Sequence, residues 1–292
     1  MYKFSILVIL AITLSSCIKD KSPNVPAYIY VPAIDFQAGN GQGSSSSNIT
    51  DAWITVDGNL IGVKDLPALL PVIIDDYSVS HTVRIAAGIK DNGLSNENVR
   101  YPFYSKYEEQ HMLEPGKADT IRPTLIYDDS DPNLEVMILE DFEGPGILFA
   151  EDVDGYSTTY MEKTQEDVFE GDYSGKIYVD SSNWDGRVAS SFKYSNLQPA
   201  NTAFPVYLEV NYKSNIPVEV GVIAHYYNGS SNEKYKGGFN PRDSWNKIYF
   251  NLTEDIFSLG ASQYAIVFRA RYPTTHTGAA NIYIDNVKLL HY

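Results

Sequence analysis

One cysteine, Cys17, stands in 292 residues. With no second thiol an intramolecular disulfide is excluded, so any core has to be held by packing alone. Histidine is also scarce. The five are scattered at positions 81, 111, 225, 276 and 291, with no His-Glu-x-x-His run to bring two imidazoles to a metal. No Gly-x-Ser-x-Gly elbow and no phosphate-binding loop occurs. Basic residues are outnumbered, 22 against 37 acidic ones, for a net charge of −15. Such a surface repels phosphate backbones, which argues against nucleic acid as a partner. A glycosidase needs only two facing carboxylates, and 37 acids leave that pair open. Two small sandwiches, however, lack the loop mass that builds a catalytic cleft, and the chain is expected not to be an enzyme.

What the chain does hold is tyrosine: 23, against 12 Phe and 3 Trp. Tyr suits strands and half-exposed positions, because its ring packs while its hydroxyl meets water. With 15 Pro, 20 Gly and 43% hydrophobic residues, this composition predicts folded β-sheets with wet faces. The length allows two domains.

The first segment is an address. Lys3 precedes an apolar run from Phe4 to Leu14, far short of the ~20 residues that span a bilayer, and residues 1–16 are expected to be a cleaved signal. Leu14-Ser15-Ser16-Cys17 resembles the bacterial lipobox. That resemblance implies lipidation of Cys17, with more than one acyl chain giving a stable membrane anchor. Residues 17–27 then form a tether. Lys19-Asp20 resembles, in shortened form, the charged export signals of Bacteroidetes surface lipoproteins. It implies an outer-membrane protein facing the exterior.

A small sandwich is expected over residues 28–128. Tyr28, Tyr30, Ile34 and Phe36 share one parity, as a half-buried strand requires. Gln37–Asn48, rich in Gly and Ser, reads as a flexible loop. Asp57-Gly58 between two apolar runs predicts a type I′ hairpin. Arg100-Tyr101-Pro102-Phe103-Tyr104 with Tyr107 is either a contact patch or a strand packed under its own loops. Asp119-Thr120-Ile121 fits the short O-glycosylation sequon of Bacteroidetes. The order of strand, Val56-Asp57-Gly58, short strand, proline break and strand resembles the PEGA or transthyretin-like (Ig-like) sandwiches of bacterial surface proteins. Clustered acids at 129–133 mark the domain boundary.

Residues 134–292 show nine alternating segments and no helical spacing, which implies a two-sheet sandwich. The phrases Glu140-Asp141-Phe142-Glu143-Gly144, Glu170-Gly171-Asp172-Tyr173-Ser174-Gly175 and Ile282-Tyr283-Ile284-Asp285-Asn286-Val287 resemble jelly-roll carbohydrate-binding modules, the galactose-binding-like domains. The resemblance implies an all-β chain ending in a jelly roll that grips glycans without catalysis. It also implies a structural calcium held by Glu140 or Asp141, Glu143 and Asp285; the alternative is that these acids cap turns. For a sugar ligand the outward candidates are Trp184, Glu209, Asn211, His225, Tyr227, Arg269 and Arg271: rings to stack, polar groups to bond hydroxyls. The alternative for that set is cross-strand ion pairing on a solvated sheet. Two functions follow. One is a glycan-binding lipoprotein working beside an outer-membrane importer; the other is an adhesin-like component of a surface assembly that binds protein.

Overall fold

The computed structural model describes residues 25–197 and 204–292. The signal, Cys17 and the head of the tether lie outside them. Among the described residues no helix is long and apolar enough to cross a membrane.

Ten strands build the first domain: β1 (Ala27–Val31), β2 (Asp35–Phe36), β3 (Asp51–Val56), β4 (Asn59–Asp65), β5 (Ala68–Val72), β6 (His81–Lys90), β7 (Asn98–Arg100), β8 (Tyr107–His111), β9 (Ala118–Thr120) and β10 (Thr124–Leu125). They form one sheet in the order β4-β3-β6-β7, with β8 also on β6, facing a smaller sheet β5-β1-β9 and the pair β10-β2. The hairpin between β3 and β4 turns on Asp57 and Gly58, both at positive φ (49° and 80°), with Val56 opposite Asn59. This is the left-handed geometry that selects Gly. The expected parity of the first strand is corrected. Ala27, Ile29 and Val31 face the core while Tyr28 and Tyr30 are half-buried; the phase changes around Pro32, so that Ile34 and Phe36 point inward.

Eleven strands follow: β11 (Glu135–Glu140), β12 (Glu151–Asp152), β13 (Tyr160–Thr164), β14 (Ser174–Tyr178), β15 (Asp185–Ala189), β16 (Tyr207–Ser214), β17 (Val218–His225), β18 (Ser231–Phe239), β19 (Arg242–Asn251), β20 (Gln263–Arg271) and β21 (Ile282–His291). One sheet runs β13-β14-β21-β16-β19 with β11 on β21, the other β12-β15-β20-β17-β18. From β14 onward the chain passes repeatedly from one sheet to the other, the winding of a jelly roll. Val206, Leu208, Val210, Val218, Val220, Val222, Ile266 and Phe268 fill the space between them. All nine expected segments are strands. The short β12 and the polar β18 are additions, as is the helix α1 (Thr253–Leu259), which corrects the expectation of no helix.

Strands β16 and β21 are buried on both faces. One face packs in the jelly-roll core. The other, carrying Tyr207, Glu209, Asn211, Lys288 and Leu290, lies under the first domain, with Tyr207, Tyr249 and Leu290 joining that domain's core. A bulge at Asn286 (φ 48°) keeps Val287 and Leu289 in phase with the inner core. From the first domain Tyr101, Phe103 and Tyr104 supply the contact, with Tyr101 ring centroids 4.9 Å from Tyr249 and 5.3 Å from Tyr207. The aromatic run is therefore neither an exposed patch nor cover for its own loops. It is the seam between domains. The Gly/Ser stretch also departs from its reading as a flexible loop: Ser44 is buried, its carbonyl accepts from Lys288 Nζ at 2.5 Å, and Ser46 Oγ accepts from Asn211 at 2.7 Å.

Candidate ligand-binding groove

Two turns at one end of the second sheet build a groove. In the first, between β14 and β15, Asp180 Oδ1 accepts from the backbone N–H groups of Ser182 (2.7 Å) and Asn183 (2.8 Å). That cap fixes the loop and presents Trp184, 55% exposed, whose carbonyl accepts from Tyr272 N–H at 2.7 Å. In the second, between β12 and β13, Asp152 caps Asp154 and Gly155. Asp154 in turn accepts from Tyr156 N–H at 2.8 Å, Thr159 Oγ1 at 2.8 Å and Arg187 N–H at 2.5 Å. Tyr156 is left 62% exposed. Gly186 keeps both turns close: a Cβ there would lie 2.5 Å from Val179 Cγ1 beside the first turn and 3.2 Å from Thr159 Cβ in the second.

Between the two rings is a cavity of about 240 Å³, lined by Asp154, Tyr156, Asn183, Trp184, Asp185 and Arg187. Behind it runs an ion-paired ladder across β15, β20, β17 and β18. Asp185 takes a bidentate contact from Arg269, at 2.6 Å from Nε and 2.5 Å from Nη2. Arg271 lies 3.4 Å from Glu219, and Arg187 donates to Glu233 at 3.0 Å. The Arg269 contact holds the Asp185 carboxyl below its ordinary range against the opposing effect of burial. Asp185 is thus an acceptor at neutral pH, unsuited to general-acid work. Arg187 Nε is buried without a partner among the described residues.

The expected binding set is divided. Trp184 lines this groove, whereas Arg269 and Arg271 stand behind it in the ion-paired ladder, as the alternative of cross-strand pairing anticipated for the two arginines. His225 and Tyr227 do not join them. His225 ends β17, six residues past Glu219 and about 20 Å along the strand; Tyr227 follows in the turn beyond it, 98% exposed. Glu209 and Asn211 are corrected more fundamentally. Both are buried beneath the first domain, where Glu209 accepts from Tyr101 and Tyr127 and pairs with Lys247 at 2.6 Å. Alternation correctly turned them away from the jelly-roll core, but gave no sign that a second domain covers that face. Tyr156, Asp154 and Asp185 were missed; an Asp-x-Asp-Gly-Tyr run at residues 152–156 was the available turn signal.

The four carboxylates expected around calcium serve separate turns. Glu140 accepts from Phe142 and Leu148 N–H, Asp141 from Glu143, and Glu143 from Asp172 and Tyr173. Asp285 accepts from Phe169, Glu170 and Asn286 N–H. Among the described residues no three acidic, His or Cys side chains gather as a metal site. The residues therefore do not fit the expected ion.

No protein-family model and no curated protein matches the chain. Solved structures do. The family 30 carbohydrate-binding module of a Clostridium thermocellum cellulosomal cellulase is similar at 12% identity over 52% of this chain and 96% of that one, TM-score 0.40. A carbohydrate-binding module of the β-sandwich superfamily is similar at 15% identity over 82% of this chain and 85% of that one, TM-score 0.37. A domain of tailspike protein 4 from bacteriophage CBA120 matches at 10% identity over 55% of this chain, which spans 19% of that structure's length, TM-score 0.36. At this distance none of them assigns a residue or a ligand. The fold stands on its own strands: this is an all-β protein.

Proposed function

We propose that the protein is a surface-exposed lipoprotein, anchored in the outer membrane through Cys17, that binds glycans without catalysis through the Trp184–Tyr156 groove. The observation that carries the reading is the pair of exposed rings flanking a cavity that Asn183, Asp185 and Arg187 also line. Sugar rings present C–H faces to aromatic side chains and hydroxyls to carboxylates, amides and guanidiniums. Trp184 and Tyr156 supply the first kind of contact, Asn183, Asp185 and Arg187 the second. The ion-paired ladder holds Asp185 and Arg187, and Asp180 holds Asn183, before a ligand arrives, which lowers the entropy cost of binding. A lipid anchor followed by two domains packed on a shared aromatic seam suits capture of polysaccharide at the cell surface, beside an importer that takes it up.

A glycan microarray probed with the protein from Ser22 onward tests this. Binding to at least one polysaccharide class, lost on Trp184→Ala with Tyr156→Ala, is expected. Silence across the array, with capture of an outer-membrane protein instead, would favour the adhesin-like role.

A further inference from the structure

Three guanidiniums stand at or behind the Trp184 groove, and each already has a carboxylate. Arg187 Nη1 donates to both oxygens of Glu233, at 3.0 and 3.2 Å. Arg269 spans the two oxygens of Asp185, at 2.6 and 2.5 Å, and lies over the Tyr235 ring. Arg271 Nη1 is 3.4 Å from Glu219, and its Nε is 3.9 Å from Asp185. Arg187 Nε is unpartnered among the described residues, but it is closed to solvent and offers an incoming ligand nothing.

The other acids of the groove take their hydrogen bonds from neutral groups. Asp154 accepts from the Tyr156 and Arg187 backbone N–H groups and from the Thr159 hydroxyl. Asp180 accepts from Ser182 and Asn183 N–H, and Asp152 from Asp154 and Gly155 N–H. Such donors satisfy a carboxylate without cancelling its charge. Those on Asp180 hold its carboxyl below the ordinary range, so it is ionised at neutral pH. The two turns and their ladder thus set six carboxylates against three guanidiniums, on a chain whose own balance is −15.

A carboxylate or sulfate on a ligand finds no cation here that is not already neutralised. To gain one it has to displace Glu233, Asp185 or Glu219, and it approaches against the field of the uncompensated acids. A sugar hydroxyl meets neither penalty. A guanidinium has five N–H donors, so it donates to a hydroxyl while still paired, and a carboxylate has lone pairs left to accept from one. We propose that the groove selects uncharged glycans over acidic ones, and that Glu233 and Glu219 set this selection by neutralising Arg187 and Arg271. The inference rests on the glycan reading of the groove and deepens it.

Affinity electrophoresis against neutral and acidic forms of the same backbone tests this. The probes are hydroxyethyl- and carboxymethylcellulose, methyl-esterified and free homogalacturonan, and dextran and dextran sulfate. Within any pair that binds, the neutral form is expected to bind about tenfold tighter or more, through Trp184. Glu233→Gln leaves Arg187 charged and unpaired at the groove, and should raise the acidic-to-neutral affinity ratio about tenfold. Glu219→Gln, on the half-exposed side of the ladder, should move the ratio the same way through Arg271. Damage to the fold lowers both affinities and does not raise their ratio. Asp129→Asn removes the same unit of charge from the linker between the domains and should leave the ratio unchanged. Acidic forms bound as tightly as neutral ones, with loss on Trp184→Ala, overturn the charge selection while leaving the glycan reading intact. A ratio unmoved in both glutamine variants, or raised equally by Asp129→Asn, overturns the role of the two glutamates. Silence with all six probes and across the glycan array removes the glycan reading and this inference together.

Discussion

The Tyr101 hydroxyl donates to Glu209 Oε1 at 2.6 Å, from one domain into the sheet of the other. Tyr127 donates to Oε2 at 3.1 Å and Lys247 Nζ lies 2.6 Å from that oxygen, so a fully buried carboxylate is saturated by partners from both domains. Burial opposes its charge, but Lys247 and Lys288 outweigh this and hold the Glu209 carboxyl below its ordinary range. The first domain is consequently a cap over one face of the jelly roll. Under the proposed function, glycan contact then falls to the other sheet and its turns.

Glu209→Gln removes the charge that balances buried Lys247. Breaking a buried pair from one side costs about 3–5 kcal/mol, and the urea midpoint should fall accordingly. Tyr101→Phe removes only one hydrogen bond and should cost about 1–2 kcal/mol. A Glu209→Gln loss no larger than the Tyr101→Phe loss would mean that the network does not hold the seam.

Asp285 is fully buried, and burial raises its pKa from 3.8 to about 7. Between those values the folded state holds a proton that the unfolded chain has released. Its contribution is therefore complete below pH 3.8 and is lost as pH rises through about 7. Asp285→Asn should flatten the fall in stability between pH 5 and 7 (roughly the span of that titration), read as urea midpoints against wild type. Parallel curves for the two proteins would contradict the assignment.

His81 carries the same sign for a different reason. Its Nδ1 lies 2.6 Å from Asp57 and Nε2 2.8 Å from the Asp76 carbonyl, contacts that raise its pKa above 6.5. The pair's stabilisation is present below pH 6.5 and lost as pH rises through the folded-state value. An NMR titration should find the His81 ring midpoint above that of the same ring in Asp57→Asn. An unchanged midpoint would sink the pairing.

Much of the fold was legible because the long inner strands of the second domain repeat an apolar residue at every other position, as in Val218, Val220, Val222 and Ala224. β18 escaped because its Ser231–Phe239 run is polar and Gly-rich; it is an edge strand with little to bury. Helix α1, a single short segment ending at Gly260 (φ 57°), is too brief to show a period. The site was half legible. Trp184 and the two arginines read as outward residues and are so placed, whereas Glu209 and Asn211 read the same way and are buried. Alternation distinguishes the two faces of a strand. It carries no information on whether the second face meets solvent or another domain.

The reading turns on Trp184. Affinity electrophoresis of wild type, Trp184→Ala and Tyr227→Ala against a polysaccharide selected on the glycan array compares the groove with the other exposed ring. Loss of a stacking anchor should cost about 2 kcal/mol, roughly thirtyfold in affinity, for Trp184→Ala, with Tyr227→Ala indistinguishable from wild type. Retained binding in Trp184→Ala, or loss confined to Tyr227→Ala, would contradict the placement of the glycan site.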